Sequence, residues 1–367
     1  MNKLIYISNS ILPSNSANSV HVMKMCAGLS KSKLEVCLLA KTKDSSVDKS
    51  KIFNDYAVKE TFSCVLFSLL NVPFCSLFIS FILYPLYVVI NREKNSIVYS
   101  RNRHASFVLA LLYVQQTYEL HGIAGNKFQR WMDRFICRKS STNRVVAISN
   151  ILKLDCIKLM NVQQEKIIVA HDGADLVDIT NVKPKALRGD FEFNVGYTGS
   201  LLEGKGVDLL CLAASRLPEL GFHIIGGTEM HVSALKSKFK EMDNVCFYGH
   251  VNQSLVQSYL CSFDLAVLPN KAKVITGNGE DIGKYTSPLK LFEYMSFNKE
   301  IVMSDLPVLR EILDEQYVSF FEPDSVDALV QSIALSALGG GNYLSRVELL
   351  KDKYTWNARA KLVLCQK

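Results

Sequence analysis

The chain has 367 residues, of which 49% are hydrophobic, and a formal net charge of +7 at pH 7. This length and composition suit two domains of ordinary size, each with its own apolar core. The ten cysteines include no Cys-x-x-Cys pair and no Cys/His cluster with zinc spacing, so we expect neither a disulfide framework nor a structural metal, as in a protein of the reducing cytoplasm.

The positive charge is concentrated in the first half of the chain. Residues 1–175 carry 22 Lys and Arg against 12 Asp and Glu, whereas residues 176–367 carry 20 against 23. A basic surface attracts nucleic acid or anionic membrane. Because no nucleic-acid-binding motif with interleaved aromatic and glycine residues is present, we expect no nucleic-acid partner. We favour peripheral binding to the inner surface of the cytoplasmic membrane.

The first half alternates between strand-like and helix-like segments. The opening segment, 4–8, is a short apolar run broken by polar residues, which indicates a strand and not a signal peptide. Further strands are predicted at 35–40, 97–100, 118–120, 144–148 and 166–170, and helices at 19–30, 104–113, 126–139 and 150–160. This alternation predicts a doubly wound parallel sheet.

Residues 61–91 contain no charged side chain. Asn71 and Pro73 divide this run, and the part from 74 to 90 is about 17 residues long, the lower limit for a spanning helix. Three placements remain open: a helix buried in the first domain, a helix at the membrane surface, and a spanning helix. Because the segment leads directly into the strand at 97–100, we favour the first two.

Two motifs of the first half follow predicted strands. The ELHG motif places His121 at the carboxyl end of a strand, where parallel sheets bind ligands. From the residues alone, His121 is either structural or catalytic. The PSNSANS loop contains Asn15, Ala17 and Asn18 and has no glycine, but backbone N–H groups at the start of the following helix can still face a ligand.

The segment NKFQRWMDRFICRK, 126–139, is predicted to be an amphipathic helix. Basic side chains recur at three- and four-residue steps on one face: Lys127, Arg130, Arg134 and Arg138. We expect its apolar side to consist of Phe128, Trp131, Met132 and Phe135. Either this helix has a solvated face over a packed one, or its basic face and Trp131 meet anionic lipid headgroups or the diphosphate of a lipid-linked acceptor.

The loosely patterned segment 175–190 is interpreted as a linker to a second alternating set. Strands are predicted at 193–198, 222–225, 245–248, 265–268 and 301–304. Helices are predicted at 207–216, 230–240, 253–261, from 288 and near 325–338. Two Rossmann-like doubly wound domains, 1–175 and 176–345, are therefore expected to face a central cleft that binds the ligand.

Glycines follow two strands of the second half. In YTGSLLEGKGV, Gly199 lets the backbone approach a diphosphate closely, and Lys205 can neutralise the phosphate charge. In IIGGT, a strand runs into Gly226 and Gly227. Each motif alone also fits an ordinary turn, with Lys205 simply exposed.

The motif SPLKLFEYM, 287–295, predicts a helix start. Ser287 suits the N-cap, and Pro288 suits the first helical position because it lacks an N–H that would be unpaired there. The helix end at Leu289 follows a strand and a loop, so its free N–H groups and dipole form an anion site. Glu293 lies about one and a half turns further on.

SPLKLFEYM resembles the donor-binding motif of the family-4 retaining glycosyltransferases of the GT-B fold. In that family the second Glu of a Glu-x7-Glu pattern holds the nucleotide ribose, and Glu293 matches it. The first Glu, beside the transferred sugar, falls at Tyr285, and Glu280 or Asp281 are candidates to replace it. The resemblance implies a UDP- or GDP-linked sugar donor, with no bound metal and no further cofactor.

The other motifs resemble family positions in the same order. Lys205 matches a lysine on the donor diphosphate, but the partner arginine position holds Ser200, so Lys290 is the candidate for the missing charge. Gly226 and Gly227 match a strand end near the nucleotide. His121 matches a histidine that contacts the transferred sugar.

The remaining likenesses concern both ends of the chain. The loop with Asn15, Ala17 and Asn18 matches one near the donor phosphate. Residues 346–367 resemble a terminal helix that packs back across the domains.

The resemblance implies retaining transfer of a sugar to a growing glycan, which we expect to be lipid-linked, in bacterial O-antigen, capsule or lipopolysaccharide synthesis. His121, Glu293 and Lys205 are the expected catalytic residues. Two alternatives remain. A GT-B-fold sugar-nucleotide epimerase would share the fold and the donor cleft. A non-catalytic nucleotide-sugar or glycan-binding partner is suggested by Tyr285, Ser200 and the glycine-free first loop.

Overall fold

The computed structural model describes residues 2–70, 72–274 and 283–364. They form two compact units: the first extends to Asp172 and resumes at Trp356, and the second runs from Gly173 to Thr355. From the sequence, the corresponding boundaries were placed after residues 175 and 345. Each unit contains one parallel sheet interleaved with helices, so the two doubly wound domains predicted from the alternating pattern are confirmed.

The first sheet has seven parallel strands in the order β3-β2-β1-β4-β5-β6-β7. These strands are β1 Lys3–Ile11, β2 Glu35–Thr42, β3 Ser63–Ser68, β4 Ile97–Ser100, β5 Gln116–Leu120, β6 Thr142–Ala147 and β7 Ile167–Val169. The helices between them are α1 Ala17–Ser30, α2 Lys49–Asp55, α3 Cys75–Phe78, α4 Tyr84–Asn91, α5 Arg103–Leu111, α6 Lys127–Arg138 and α7 Asn150–Met160. Helix α2 and strand β3 were not predicted.

The uncharged run 61–91 folds in several pieces. It contributes β3, then α3, a π-helix at Ile79–Leu83, and α4. Pro85 has no N–H and its ring would clash with the carbonyl four residues earlier, which accounts for the wider turn ahead of it. The inner face of this segment packs in the core through Ile79, Tyr84 and Val88. None of the helices in the described residues is long and apolar enough to cross a membrane.

The second sheet has six parallel strands in the order β10-β9-β8-β11-β12-β13. These strands are β8 Asn194–Thr198, β9 Gly221–Ile225, β10 Val245–Gly249, β11 Leu265–Leu268, β12 Glu300–Ser304 and β13 Ser319–Phe321. The helices are α8 Val207–Ala214, α9 Glu229–Lys238, α10 Gln253–Ser262, α11 Leu289–Ser296, α12 Pro307–Arg310, α13 Val326–Ala337 and α14 Arg346–Leu349. The continuous apolar run of β11 is buried throughout, as expected of a strand covered on both faces.

The end of the chain returns to the first unit. After a π-helix at Leu350–Tyr354, helix α15, Trp356–Leu364, packs against α1. The approach is close at Gly28, where an added Cβ would lie 2.5 Å from the carbonyl oxygen of Trp356. Any larger residue at Gly28 would therefore push α15 away from α1.

Candidate functional site

In the second unit, the strand order reverses between β8 and β11, and doubly wound sheets bind ligands at the carboxyl ends of strands at such a point. The loop after β8 enters α8 through Gly206, which has φ of 72°. A Cβ on Gly206 would lie 1.6 Å from the carbonyl oxygen of Pro269, the residue after β11. Only glycine permits this approach, so the two loops that flank the reversal point are packed directly on each other.

The predicted glycines of β8 and β9 also meet. A Cβ on Gly226 would lie 2.0 Å from the carbonyl oxygen of Gly199, and one on Gly227 would clash with the Leu201 side chain. Gly226 has φ of 119° and donates its N–H to the carbonyl of Gly249 at 2.7 Å. The strand ends therefore form a surface with open glycine backbone, where Gly199 and the neighbouring Ser200 are exposed.

Lys290 of α11 points toward this surface. Its Nζ is buried, has no hydrogen-bond partner in the described part of the chain, and lies 3.9 Å from the centroid of the Tyr197 ring. A Cβ on Gly199 would be 3.7 Å from the same Nζ. Burial and then the nearby charge of Lys205 hold the pKa of Lys290 well below its ordinary value, although Glu293 opposes the shift. The site thus has a buried lysine whose Nζ has no hydrogen-bonded counterion among the described residues.

Lys205 supplies the second cation. It lies in the loop before α8, and burial lowers the pKa of its ammonium group. Within residues 2–70, 72–274 and 283–364 its side chain makes no ion pair. Two neighbouring ammonium groups repel each other, and a diphosphate would relieve both the repulsion and the missing hydrogen bonds.

Glu293 lies beside these lysines on α11. Its Oε1 accepts a hydrogen bond from Nε2 of Gln253, at the start of α10, with a separation of 2.6 Å. Gln253 was not singled out from the sequence, although its position directly after the β10 loop placed it at the same sheet edge. A fixed carboxylate here can accept hydrogen bonds from a ligand's hydroxyl groups.

The start of α11 corrects the predicted cap by one residue. Helix α11 begins at Leu289, and Pro288, with ψ of 116°, is the N-cap, so Pro288 is not the first helical residue. Because Pro288 is extended and is itself the N-cap, Ser287 lies outside the helix. The carbonyl of Pro288 accepts the first bond, from the N–H of Leu291 at 3.0 Å.

Tyr285 occupies the position of the first family Glu. It ends a short 3-10 turn, Gly283–Tyr285, and is buried, with Lys284 Nζ 5.2 Å from its ring centroid. Glu280 and Asp281, the predicted substitutes, lie outside the described residues.

In the first unit, His121 follows β5 as predicted and belongs to a buried charged cluster. Its Nε2 lies 2.6 Å from Oε1 of Glu119, and its Nδ1 lies 3.3 Å from Nη2 of Arg101. The network assigns the tautomer: Nε2–H donates to the carboxylate and Nδ1 accepts from the guanidinium. Burial and Arg101 lower the pKa of His121 to about 4, although Glu119 opposes this shift. The ring is therefore neutral near pH 7.

Glu119 is the centre of this cluster and was not predicted to belong to the site. Both its oxygens face Arg359 of α15, at 3.1 and 3.4 Å, and Tyr99 donates its hydroxyl hydrogen to Oε2. Burial alone would raise the pKa of Glu119, but Arg359 and Arg101 hold it well below its ordinary value. A signal was present in the sequence, since a charged residue in a strand of a sheet covered on both faces requires a buried partner.

The ligand atoms of His21, Glu119 and His121 lie within 4.8 Å of one another, a spacing that a metal ion could use. However, Arg359 and Arg101 already neutralise the carboxylate, and a metal cation would meet both guanidinium groups. The donor set therefore fits an ion-pair network better than a metal site.

The first loop lies at the reversal point of the first sheet, between β1 and β4. Helix α1 begins at Ala17, and Ser16 caps it by accepting from the Ser19 N–H at 3.2 Å. Asn18 donates from Nδ2 to Oγ of Ser10 at 2.7 Å. Asn15, Ala17 and Asn18 are exposed at this helix start.

Helix α6 has the predicted basic face, but its apolar side divides in two. Lys127, Arg134 and Arg138 are exposed, whereas Arg130 donates to the carbonyls of Ala124 and Gly125, at 3.0 and 3.2 Å. The buried side consists of Met132, Asp133, Ile136 and Cys137. Phe128 and Trp131, two residues of the predicted apolar side, are exposed, since they lie about 100° or more from the mean direction of these four buried residues.

Part of the second unit matches a known protein family. Residues 192–336, which lie within the second unit, match the family described as Glycosyl transferases group 1. The Escherichia coli O-antigen biosynthesis glycosyltransferase WbnH is 26% identical over 111 residues, or 30% of this chain and 31% of that protein. The chain thus matches about a third of the length of this curated relative.

Two solved structures are similar over nearly the whole chain. A glycosyltransferase from Rickettsia africae superposes with a TM-score of 0.73 at 14% identity, covering 100% of this chain and 99% of the other. The Anabaena protein HepE, solved in complex with UDP and glucose, gives a TM-score of 0.71 at 14% identity, covering 99% and 98%. The chain therefore has the GT-B fold.

Proposed function

We propose that this chain, which carries a glycosyl transferases group 1 domain, transfers a sugar from a nucleotide-sugar to a glycan acceptor in bacterial O-antigen or lipopolysaccharide synthesis. The observation that carries the proposal is the pair of lysines at the carboxyl edge of the second sheet. Lys290 Nζ is buried without a hydrogen-bond partner in the described residues, Lys205 lies near it, and the backbone of Gly199 faces Lys290. A donor diphosphate supplies the missing charge and fits the open backbone.

Transfer breaks the bond between the sugar and the diphosphate, which leaves with extra negative charge. Lys205 and Lys290 are held in place before the reaction and stabilise this charge as it develops. Glu293, fixed by Gln253, accepts hydrogen bonds from the ribose hydroxyl groups. HepE binds UDP and glucose, which favours a UDP-linked donor here.

His121 orients the transferred sugar as a neutral ring, because its pKa near 4 makes it a weak base. A sugar hydroxyl can replace Arg101 as the donor to Nδ1, since Arg101 retains Glu119 as a second partner, with Nε 3.6 Å from Oε1. We propose that transfer retains the anomeric configuration and needs no metal.

The acceptor is proposed to be a glycan on a lipid carrier at the inner surface of the cytoplasmic membrane. Helix α6 supports this because Lys127, Arg134 and Arg138 are exposed and form no ion pair among the described residues. Such a face suits anionic headgroups or the diphosphate of a carrier lipid. The O-antigen relative supports the same class of acceptor.

The test is nucleotide release from UDP-, GDP- and ADP-sugars, with purified bacterial membranes as the acceptor source. We expect turnover with one donor that requires membranes. Lys290→Met and Glu293→Gln should each lower kcat/KM about a hundredfold, equivalent to roughly 2.7 kcal/mol of transition-state stabilisation. Lys236→Met, an exposed lysine of α9, is the matched control and should behave as the parent.

The other outcomes identify the alternatives. Proton NMR of the product reports the anomeric configuration, and an inverted product would exclude retention. Conversion of the donor's sugar to its epimer without an acceptor would indicate an epimerase. Binding of a nucleotide-sugar without any turnover would indicate a non-catalytic binding protein, and the transferase proposal would then be wrong.

A further inference from the structure

Side chains from three helical segments form one aromatic strip on the first unit. The ring of Phe81, in the π-helix, lies 4.6 Å from that of His104 on α5. Phe107, three residues later on the same face of α5, lies 5.5 Å from Trp131 of α6, and Phe128 stacks on Trp131 at 5.7 Å. The strip is therefore continuous from the π-helix to α6.

The segment that begins this strip exposes apolar side chains on its outer face. They recur at four-residue steps and form what we call the apolar ridge: Phe74, Phe78, Ile82, Leu86 and Ile90. Phe74 is 78% exposed. The outer face of a helix in a water-soluble protein is normally polar, yet no charged side chain occurs from 61 to 91. The ridge is therefore an apolar surface that the rest of the first unit does not cover.

The other end of the strip is cationic. Trp131 is 50% exposed, and the helical steps place Lys127, Arg134 and Arg138 around it. These cations form no ion pair in the described part of the chain. An apolar ridge on the segment that begins the strip, and a tryptophan among unpaired cations at the other end of the strip, match the layers of an anionic bilayer: acyl chains, headgroup boundary and phosphates. The charge favours a membrane over an apolar protein partner.

We infer that this surface docks the protein on an anionic bilayer, with the apolar ridge inserted among the acyl chains and α6 at the headgroups. The inference deepens the membrane-bound acceptor of the proposed function by identifying the side chains that enter the lipid. The inserted element is the ridge, and α6 supplies the preference for anionic lipid.

Flotation with vesicles of phosphatidylglycerol and phosphatidylethanolamine tests the inference without any nucleotide-sugar. Phe74→Ser/Phe78→Ser should lower the vesicle partition coefficient at least about tenfold, because two aromatic side chains are removed from the lipid. Met230→Ser/Leu338→Ser is the matched control, since these second-unit residues are 73% and 87% exposed. It should bind as the parent does. Circular dichroism melts should coincide for all three proteins.

Insertion is measured directly by fluorescence. Phe78→Trp in a Trp131→Phe background should be quenched by lipids brominated on the acyl chains. Leu338→Trp in the same background should not be quenched. Trp356 is 3% exposed and gives a constant background in both proteins.

Three outcomes would overturn the inference: a parent protein that does not float with vesicles, a ridge variant that floats like the parent, or equal quenching at positions 78 and 338. A parent dimer that becomes monomeric in the ridge variant, with flotation unchanged, would show that the ridge binds a second copy of the chain. Docking without sugar transfer would contradict only the proposed function. Transfer to a water-soluble acceptor without docking would contradict only this inference.

Discussion

Nε2 of His121 lies 2.6 Å from Oε1 of Glu119, and the same carboxylate is held by Arg359 from the last helix. The imidazole is thereby fixed in one tautomer. Because burial and Arg101 lower the pKa of His121 to about 4, its ring is neutral and only weakly basic at neutral pH. This arrangement suits a residue that orients a substrate hydroxyl.

His121→Asn should therefore lower kcat/KM about tenfold, the effect of one lost hydrogen bond, and leave the pH profile between 6 and 8 unchanged. The measurement is kcat/KM against pH for both proteins. An inflection near pH 6.5 that is present in the parent and absent in the variant would show that His121 exchanges protons during turnover.

Nucleotide binding should take up a proton. In the free protein, burial and Lys205 keep the pKa of Lys290 well below its ordinary value, whereas a bound diphosphate stabilises the charged ammonium and raises that pKa. At pH values between the two, UDP binding protonates Lys290, so affinity falls as pH rises. Calorimetry in buffers of different ionisation enthalpy measures the uptake. Lys290→Met should abolish it, and unchanged uptake in that variant would contradict the assignment.

Gly226→Ala should weaken UDP binding by at least about tenfold and lower the unfolding midpoint. The added Cβ would lie 2.0 Å from the carbonyl oxygen of Gly199, so the two strand ends must separate. Gly339→Ala is the matched control: its φ of 123° resembles the 119° of Gly226, but nothing lies within 4 Å of its Cβ. The control should show only the backbone strain, on the order of 1–2 kcal/mol. If Gly226→Ala and Gly339→Ala had equal effects on UDP binding and stability, the close approach of Gly226 to the Gly199 carbonyl would be unimportant.

Arg359→Met should destabilise the protein by about 3–5 kcal/mol, because Glu119 loses its bidentate partner while remaining buried. Arg216→Met breaks an exposed pair with Asp327 and should cost less than about 1 kcal/mol. Denaturant unfolding followed by circular dichroism compares the two variants. A small decrease in the free energy of unfolding for Arg359→Met would show that water or another cation replaces the guanidinium.

Local patterns in the sequence predicted most strands and most helices. They also placed the glycines after β8 and β9, Lys205, Lys290 and Glu293 at one sheet edge, because each follows a strand or lies near the start of a helix and parallel strands end at one edge. The roles of these residues in donor binding come from the family resemblance and stay predictions. Strand β3 was not predicted because an uncharged run satisfies both a strand and a helix pattern.

The buried ion-pair network could not be predicted from local patterns. Glu119 and Arg359 are 240 residues apart, and only the folded chain brings α15 against β5. The degree to which Trp131 is exposed depends in the same way on a neighbour. Phe107 of α5 packs against the Trp131 ring and so covers only part of it. Periodicity predicts that a helix has two faces, but tertiary contacts decide where each face ends.

Stability should fall as the pH decreases from about 6.5 to 4. His223 is fully buried between Tyr248 and Asn194, each 3.0 Å from one ring nitrogen, and burial lowers its pKa to about 4. In this pH window the unfolded chain binds a proton that folded His223 does not, so protonation favours unfolding. For a pKa shift of this size, the free energy of unfolding decreases by at most about 3 kcal/mol. Unfolding midpoints at pH 7, 6, 5 and 4.5 measure this decrease. His223→Gln should reduce the slope but not abolish it, because His121 also has a pKa lowered to about 4; an unchanged slope would assign the effect to other groups.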